Sequence, residues 1–334
     1  MPSVSVFGAG SWGTALAILM ARNGHRVMLW GHQAEHMQTL GDERCNRRYL
    51  PDTAFPDKLS LTADLPKAAL IASLWLIVVP SHAFRSQLEA LQPYVRPGTR
   101  VAWATKGLEL HTGHPLHAVV ADQLGPSLPA AVVSGPTFAG EVAAGQPTAI
   151  TVASECAAFA AELAGLLHNP RFRAYTSPDV IGVELGGAIK NVLAIAAGVA
   201  DGLGYGANAR AALITRGLAE MIRLGTTLGG RPETLMGLSG VGDLILTCTD
   251  NQSRNRRFGV GLGLGQSPEA IAASIDQEIE GIPTARIVHE LARSHHIDMP
   301  ISEQIYRILY EGLPPAEAVT NLLLRDPKPE TAGR

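Results

Sequence analysis

Cysteine is scarce in this sequence of 334 residues: Cys45, Cys156 and Cys248 are the only three, and none stands in CxxC spacing. An odd, unpatterned set fits neither a disulfide framework nor a zinc site, so they read as reduced structural thiols. The eleven histidines are scattered, and the adjacent pair His295-His296 cannot place two ligands on one helix face. No metal is expected. Positive charge is short as well: 27 Lys and Arg against 30 Asp and Glu give a formal charge of −3, which supplies no general attraction to nucleic acid. No uninterrupted apolar run reaches membrane-spanning length. The N-terminus, Met1-Pro2-Ser3-Val4, has no basic segment ahead of an apolar stretch that itself contains three glycines, which argues against a secretory signal. The expectation is a water-soluble, cytoplasmic protein without membrane insertion. Internal repeats and low-complexity tracts are absent too.

What the chain does have is apolar material for two cores: 46% of its residues are apolar and only 17% charged, over a length that favours two domains. From residue 4 to about 175, short β-branched runs alternate with helical stretches, the pattern of a parallel sheet with crossover helices. Strands are expected at Val4–Phe7, Val27–Trp30, Leu74–Val79, Arg100–Ala104, Ala131–Ser134, Ala149–Ala153 and Phe172–Tyr175. After Ser177-Pro178-Asp179 the periodicity becomes helical throughout. Helices are expected near 180–200, 207–228, 231–248, 252–265, 267–275, 283–296, 300–311 and 314–323. The fold class is therefore α/β: a doubly wound domain over 1–178, an all-helical domain over 179–326, and a tail over 327–334.

The run Gly8-Ala9-Gly10-Ser11-Trp12-Gly13 follows the first strand directly and opens a helix expected over Thr14–Asn23. That order makes it a Rossmann-type dinucleotide loop: Gly8 permits the tight turn, Gly10 lets the backbone approach a pyrophosphate, and Gly13 lets helix and strand pack. Phosphates would face the free amides of the helix N-terminus, with Ser11 and Trp12 as further contacts. At the end of the second strand Trp30 is followed by Gly31 and His32, and the nearest acid, Glu35, lies further on. Nothing there repels a 2′-phosphate and His32 could bond to one, so NADPH is favoured over NADH with both usable. A plain surface role for His32 stays open.

The same loop, continued as Thr14-Ala15-Leu16-Ala17, resembles the bacterial NAD(P)-dependent glycerol-3-phosphate dehydrogenases. Further segments are similar to motifs of that family, in its order: Trp103 to Glu109 (WATKGLE), Ser134 to Ala139 (SGPTFA), Gly186 to Asn191 (GGAIKN), Gly206 to Arg210 (GANAR), Gly240 to Leu244 (GVGDL) and Asn251 to Arg256 (NQSRNR). The resemblance covers nearly the whole chain. Trp12 stands where the family also has tyrosine or phenylalanine, and Gly281-Ile282-Pro283-Thr284 is less typical. It implies dihydroxyacetone phosphate and sn-glycerol 3-phosphate as substrate and product, with a role in phospholipid synthesis.

Lys190 lies within an apolar, glycine-rich helix, where a lysine is costly unless paired or used. Reducing a ketone needs a proton at the carbonyl oxygen as hydride arrives, and a partly buried ammonium supplies it. The competing reading is a lysine that snorkels out along its methylene stem; the resemblance favours catalysis. Asp243 and Thr247, four apart on one helix, could meet substrate or orient Lys190, and Asn191 adds a polar neighbour. Ser253, Arg254 and Asn255 open a helix and could cradle one phosphate, whereas Arg256 and Arg257 read as a solvated basic face. The resemblance further implies Lys106, Gly135 and Thr137 as substrate contacts, and Lys106, Ala139, Arg254 and Glu280 as cofactor contacts. A surface carboxylate remains the other reading of Glu280. Related two-domain enzymes acting on hydroxy acids would not need the Ser253-Arg254-Asn255 pocket, and a non-catalytic cofactor sensor would not need Lys190 or Lys106. Nothing in the sequence fixes the oligomeric state, and a homodimer is allowed.

Overall fold

The computed structural model describes residues 3–326; the expected tail at 327–334 lies outside them. An eight-stranded sheet in the order β10-β9-β8-β7-β6-β1-β2-β5 forms the N-terminal domain. Its strands are β1 (Ser3–Phe7), β2 (Arg26–Trp30), β5 (Leu59–Thr62), β6 (Leu74–Ile77), β7 (Arg100–Trp103), β8 (Ala130–Ser134), β9 (Thr148–Ala153) and β10 (Phe172–Ser177), and a separate hairpin is made of β3 (Cys45–Asn46) and β4 (Leu50–Ala54). All seven expected strands are present. Alternation along them builds a core on each face: Val4, Val6, Leu74 and Leu76 pack on one side, Phe7, Trp75, Ile77 and Trp103 on the other.

The sheet is not wholly parallel, because β9 runs antiparallel to β8. Between them the chain forms only the five-residue helix Ala139–Ala143, about 7.5 Å long at 1.5 Å per residue. That is too short to carry the chain back over the sheet for a parallel return. The strand order reverses between β1 and β6, which places the loops after these two strands side by side at the carboxyl edge.

The helical domain wraps around Val180–Gly202, a helix with 20 of its 23 residues buried. It is long and apolar enough to cross a membrane, although 94% of its most apolar window is buried inside the molecule, so its apolarity belongs to a core helix. Asp179 caps it, accepting from Gly182 N at 2.9 Å and from Arg231 N at 2.8 Å. Its later turns touch the helix Arg254–Gly263 backbone to backbone. A Cβ on Gly198 would stand 2.1 Å from the Arg256 carbonyl oxygen, and one on Gly259 would stand 2.1 Å from that of Ile195. Only glycine allows this approach, and it brings the start of the second helix beside Asn191.

The single helix expected over 231–248 is broken. Pro232–Leu235 ends, a π-helical turn covers Leu238–Gly242, and a new helix runs Asp243–Thr249. Gly240 packs directly on the preceding piece, where a Cβ would lie 1.9 Å from the Leu235 carbonyl oxygen. The glycine-loop helix starts at Ser11 rather than Thr14.

Candidate active site

The glycine loop divides its three glycines by task. Gly8 has φ +124°, and a Cβ there would sit 2.3 Å from the Val78 carbonyl oxygen; a Cβ on Gly13 would sit 1.9 Å from the Gly8 carbonyl oxygen. Both are required by the fold itself. Gly10 is different, since a Cβ there would meet nothing within 4 Å among the described residues, and its openness leaves room for a ligand against the backbone. The helix Ser11–Arg22 begins at Gly10 without a side-chain cap, so its first amides remain available to an anion. The buried Nε1 of Trp12 has no partner among the described residues. These residues fit a dinucleotide pyrophosphate.

Where the two domains meet, one buried carboxylate collects two lysines. Asp243, 1% exposed, accepts from Lys190 Nζ at 2.6 Å through Oδ1 and from Lys106 Nζ at 2.8 Å through Oδ2. Lys190 also donates to Thr247 Oγ1 at 2.9 Å, and that hydroxyl donates to the Asp243 carbonyl oxygen at 2.6 Å. Lys106 donates to the Gly135 carbonyl oxygen at 3.0 Å, which also accepts from Thr137 Oγ1 at 3.1 Å. Gly187 admits this geometry because a Cβ on it would stand 2.7 Å from Ser134 Oγ, at the end of β8. Gly186 does the same for the π-helical turn that precedes Asp243. Lys190, at 6% exposure, does not snorkel. Burial pulls its pKa down to about 7, the Lys106 charge pushes the same way, and the Asp243 charge opposes both.

The remaining predicted residues are more dispersed. Ser253 is the N-cap of the helix Arg254–Gly263, its Oγ accepting from Arg256 N at 3.2 Å. Asn255 donates to Asn191 Oδ1 at 2.9 Å and accepts from Gly281 N at 2.9 Å, tying three helices together. Glu280 is no free surface carboxylate. It accepts from Ser81 N at 2.9 Å and Ser81 Oγ at 2.5 Å, reaching the loop after β6; burial raises its pKa and the Arg254 charge opposes that rise. Arg254 is itself largely desolvated, which lowers its pKa, while the charges of Glu280 and Glu278 hold it up. Ala139 opens the short helix packed against the glycine-loop helix. His32 is exposed and has no hydrogen bond among the described residues.

Two expectations are corrected. Arg256 is buried and paired with Asp201 at 2.5 Å rather than solvated, because the close helix approach swallows its side chain; Arg257 is exposed as expected. Cys156 is exposed, so only Cys45 and Cys248 are buried thiols. Sequence reasoning missed Ser81, which follows the expected strand Leu74–Val79 after Pro80 and carries no motif of its own. It also missed Asn46, which carried no signal because the β3–β4 hairpin was not anticipated.

A dinucleotide-shaped loop on an open sheet, facing a helical domain that buries a lysine of near-neutral pKa, defines a two-domain dehydrogenase of the nicotinamide-dependent kind. Comparison with known proteins narrows the class. Residues 3–160 match the N-terminal region, and residues 179–320 the C-terminal region, of NAD-dependent glycerol-3-phosphate dehydrogenase. Among the similar proteins is a glycerol-3-phosphate dehydrogenase [NAD(P)+] of Methylococcus capsulatus, 61% identical over 98% of each chain. Another, of Thioalkalivibrio sulfidiphilus, is 58% identical over 98% of this chain and 99% of its own. The crystal structure of a glycerol-3-phosphate dehydrogenase from Coxiella burnetii superposes with a TM-score of 0.94 at 50% identity, covering 97% of this chain and 99% of that one. The chain belongs to the NAD-dependent glycerol-3-phosphate dehydrogenase family.

Proposed function

We propose that this chain catalyses reversible hydride transfer between NAD(P)H and dihydroxyacetone phosphate, giving sn-glycerol 3-phosphate for phospholipid synthesis in the cytoplasm. Residues 1–178 serve as the cofactor domain and 179–326 as the substrate domain. The observation that carries this reading is Lys190, held by Asp243 and Thr247 with a pKa near 7. A group that titrates near the working pH can give a proton in one direction and take it in the other.

When bound, the dinucleotide supplies or accepts the hydride. The protein does the rest. Lys190 donates its proton to the carbonyl oxygen at C2 during reduction and removes the C2 hydroxyl proton during oxidation. Lys106 shares Asp243 with Lys190 and adds positive charge where the oxygen becomes anionic. Asp243 and Thr247 orient the Lys190 ammonium, and Gly135 and Thr137 complete the substrate wall. The phosphate is assigned to Ser253, Arg254 and Asn255, with Asn191 bracing Asn255. Gly8, Gly10, Ser11, Trp12, Gly13, His32, Lys106, Ala139, Arg254 and Glu280 are assigned to the cofactor, and the absence of an acid at His32 favours NADPH over NADH.

The test follows oxidation of NADPH and NADH by the purified protein with dihydroxyacetone phosphate and, separately, with 2-oxo acids. Turnover only with the phosphorylated ketone supports the reading. Preferential reduction of a 2-oxo acid would overturn it.

A further inference from the structure

The β3–β4 hairpin has no role in the site assigned above, yet it touches the glycine loop. Its base is fixed by Arg44, whose guanidinium donates to the Leu59 carbonyl oxygen at 3.0 Å and that of Pro56 at 2.8 Å. This presents Asn46, fully buried, to the loop. Asn46 Nδ2 donates to the Ala9 carbonyl oxygen at 3.1 Å and to Thr14 Oγ1 at 2.9 Å. A carbonyl can only accept, so the amide nitrogen must face it. Both donated bonds fall on the loop and the first turn of its helix, and the equally buried Oδ1 has no partner among the described residues. The side chain therefore acts here as a donor alone.

In a planar trans peptide the carbonyl and the following N–H point in opposite directions. Holding the Ala9 carbonyl toward the hairpin turns the Gly10 N–H away from it, and the described chain has no cis peptide. Gly10 is also the loop residue with open space at its Cβ position. We propose that Asn46 is a positioning residue for pyrophosphate binding: by pinning the Ala9 carbonyl and Thr14, it fixes the amides at Gly10 and Ser11 that receive the phosphates. The inference rests on the dinucleotide reading of the glycine loop, and adds to it a specific residue from a separate hairpin.

The experiment measures binding of ADP-ribose, which contains the pyrophosphate, and of adenosine, which does not, by calorimetry. Asn46→Ala is expected to weaken ADP-ribose by about tenfold, the scale of one lost hydrogen bond, with adenosine unchanged. Asn46→Asp keeps the side-chain size but loses the donors and adds a negative charge, so its loss should be at least as large. A merely structural asparagine would lower thermal stability and leave the ratio of the two affinities as it is in the wild type; that result overturns the proposal. Should a variant fail to fold, the wild type answers by NMR. Its Asn46 side-chain amide signals must shift with ADP-ribose and not with adenosine, and equal behaviour toward both overturns the proposal. A wild type that does not bind ADP-ribose overturns the dinucleotide reading along with it, whereas normal binding by wild type and variants overturns the Asn46 assignment alone.

Discussion

The two walls of the proposed site, the glycine loop and the Lys190 cluster, are built by different physical means. On the sheet side the glycine loop offers backbone: a bare Gly10 and the uncapped first turn of the helix Ser11–Arg22. On the helical side the chemistry lies in side chains, with Lys190 and Asp243 buried at 6% and 1% exposure and bonded at 2.6 Å. A backbone anion site is spoiled by adding atoms, and a buried ion pair is spoiled by removing them. The loop should therefore govern affinity for the cofactor, and the lysine pair should govern the rate.

The largest expected effect is on the helical side. Lys190→Ala should reduce turnover by about a thousandfold, within the range of general acid catalysis, while NADPH affinity measured by fluorescence stays within a fewfold of wild type. Normal turnover would remove Lys190 from its role, and lost NADPH binding would erase the contrast between the walls.

Within the loop the contrast sharpens to two glycines. Gly10→Ala meets no atom of the described residues within 4 Å, so its melting temperature should hold while NADPH binding falls by tenfold or more, on the order of 1.4 kcal/mol. Gly8→Ala combines a positive φ with a clash at 2.3 Å. It should cost about 2 kcal/mol or more of stability, visible as a lower melting temperature before any ligand is added. If both variants lost stability equally, Gly10 would belong to the fold and not to the ligand.

The smallest effect belongs to Arg48, which joins the hairpin to Asp276 on the helical side at 3.1 Å with both side chains exposed. Exposed pairs contribute from about 0.2 to 1 kcal/mol, so Arg48→Ala should change NADPH affinity and melting temperature only marginally. A large loss would mean that the hairpin bridges the two walls more tightly than this contact implies.

Much of this division was legible in the chain. Gly8, Gly10 and Gly13 announced themselves by spacing between a strand and a helix, and a lysine among glycines and aliphatics drew attention to Lys190. Their physical signals are local. The pairing of Lys190 with Lys106 through Asp243 spans separations of 53 and 137 residues, which no local pattern encodes, and the resemblance to known enzymes supplied those names before geometry joined them. The hairpin escaped because β3 has two residues and β4 contains a proline, so neither shows strand alternation. The antiparallel β9 escaped for another reason: its residues read as a strand, but direction depends on the short helix before it.

The central claim is that Lys190 handles the proton, and the pH dependence of kcat/KM in both directions tests it most directly. Reduction needs the ammonium and oxidation needs the amine. Because burial has lowered the pKa to about 7, reduction should be fast below that pH and decline above it, while oxidation should rise through the same region. In Asp243→Asn the charge that holds this pKa up is gone, so both limbs should move to lower pH. Limbs near 7 that shift downward in that variant are the predicted result. Profiles that are flat in both directions from about pH 6 to 9, a range that brackets a pKa of about 7, would contradict the account.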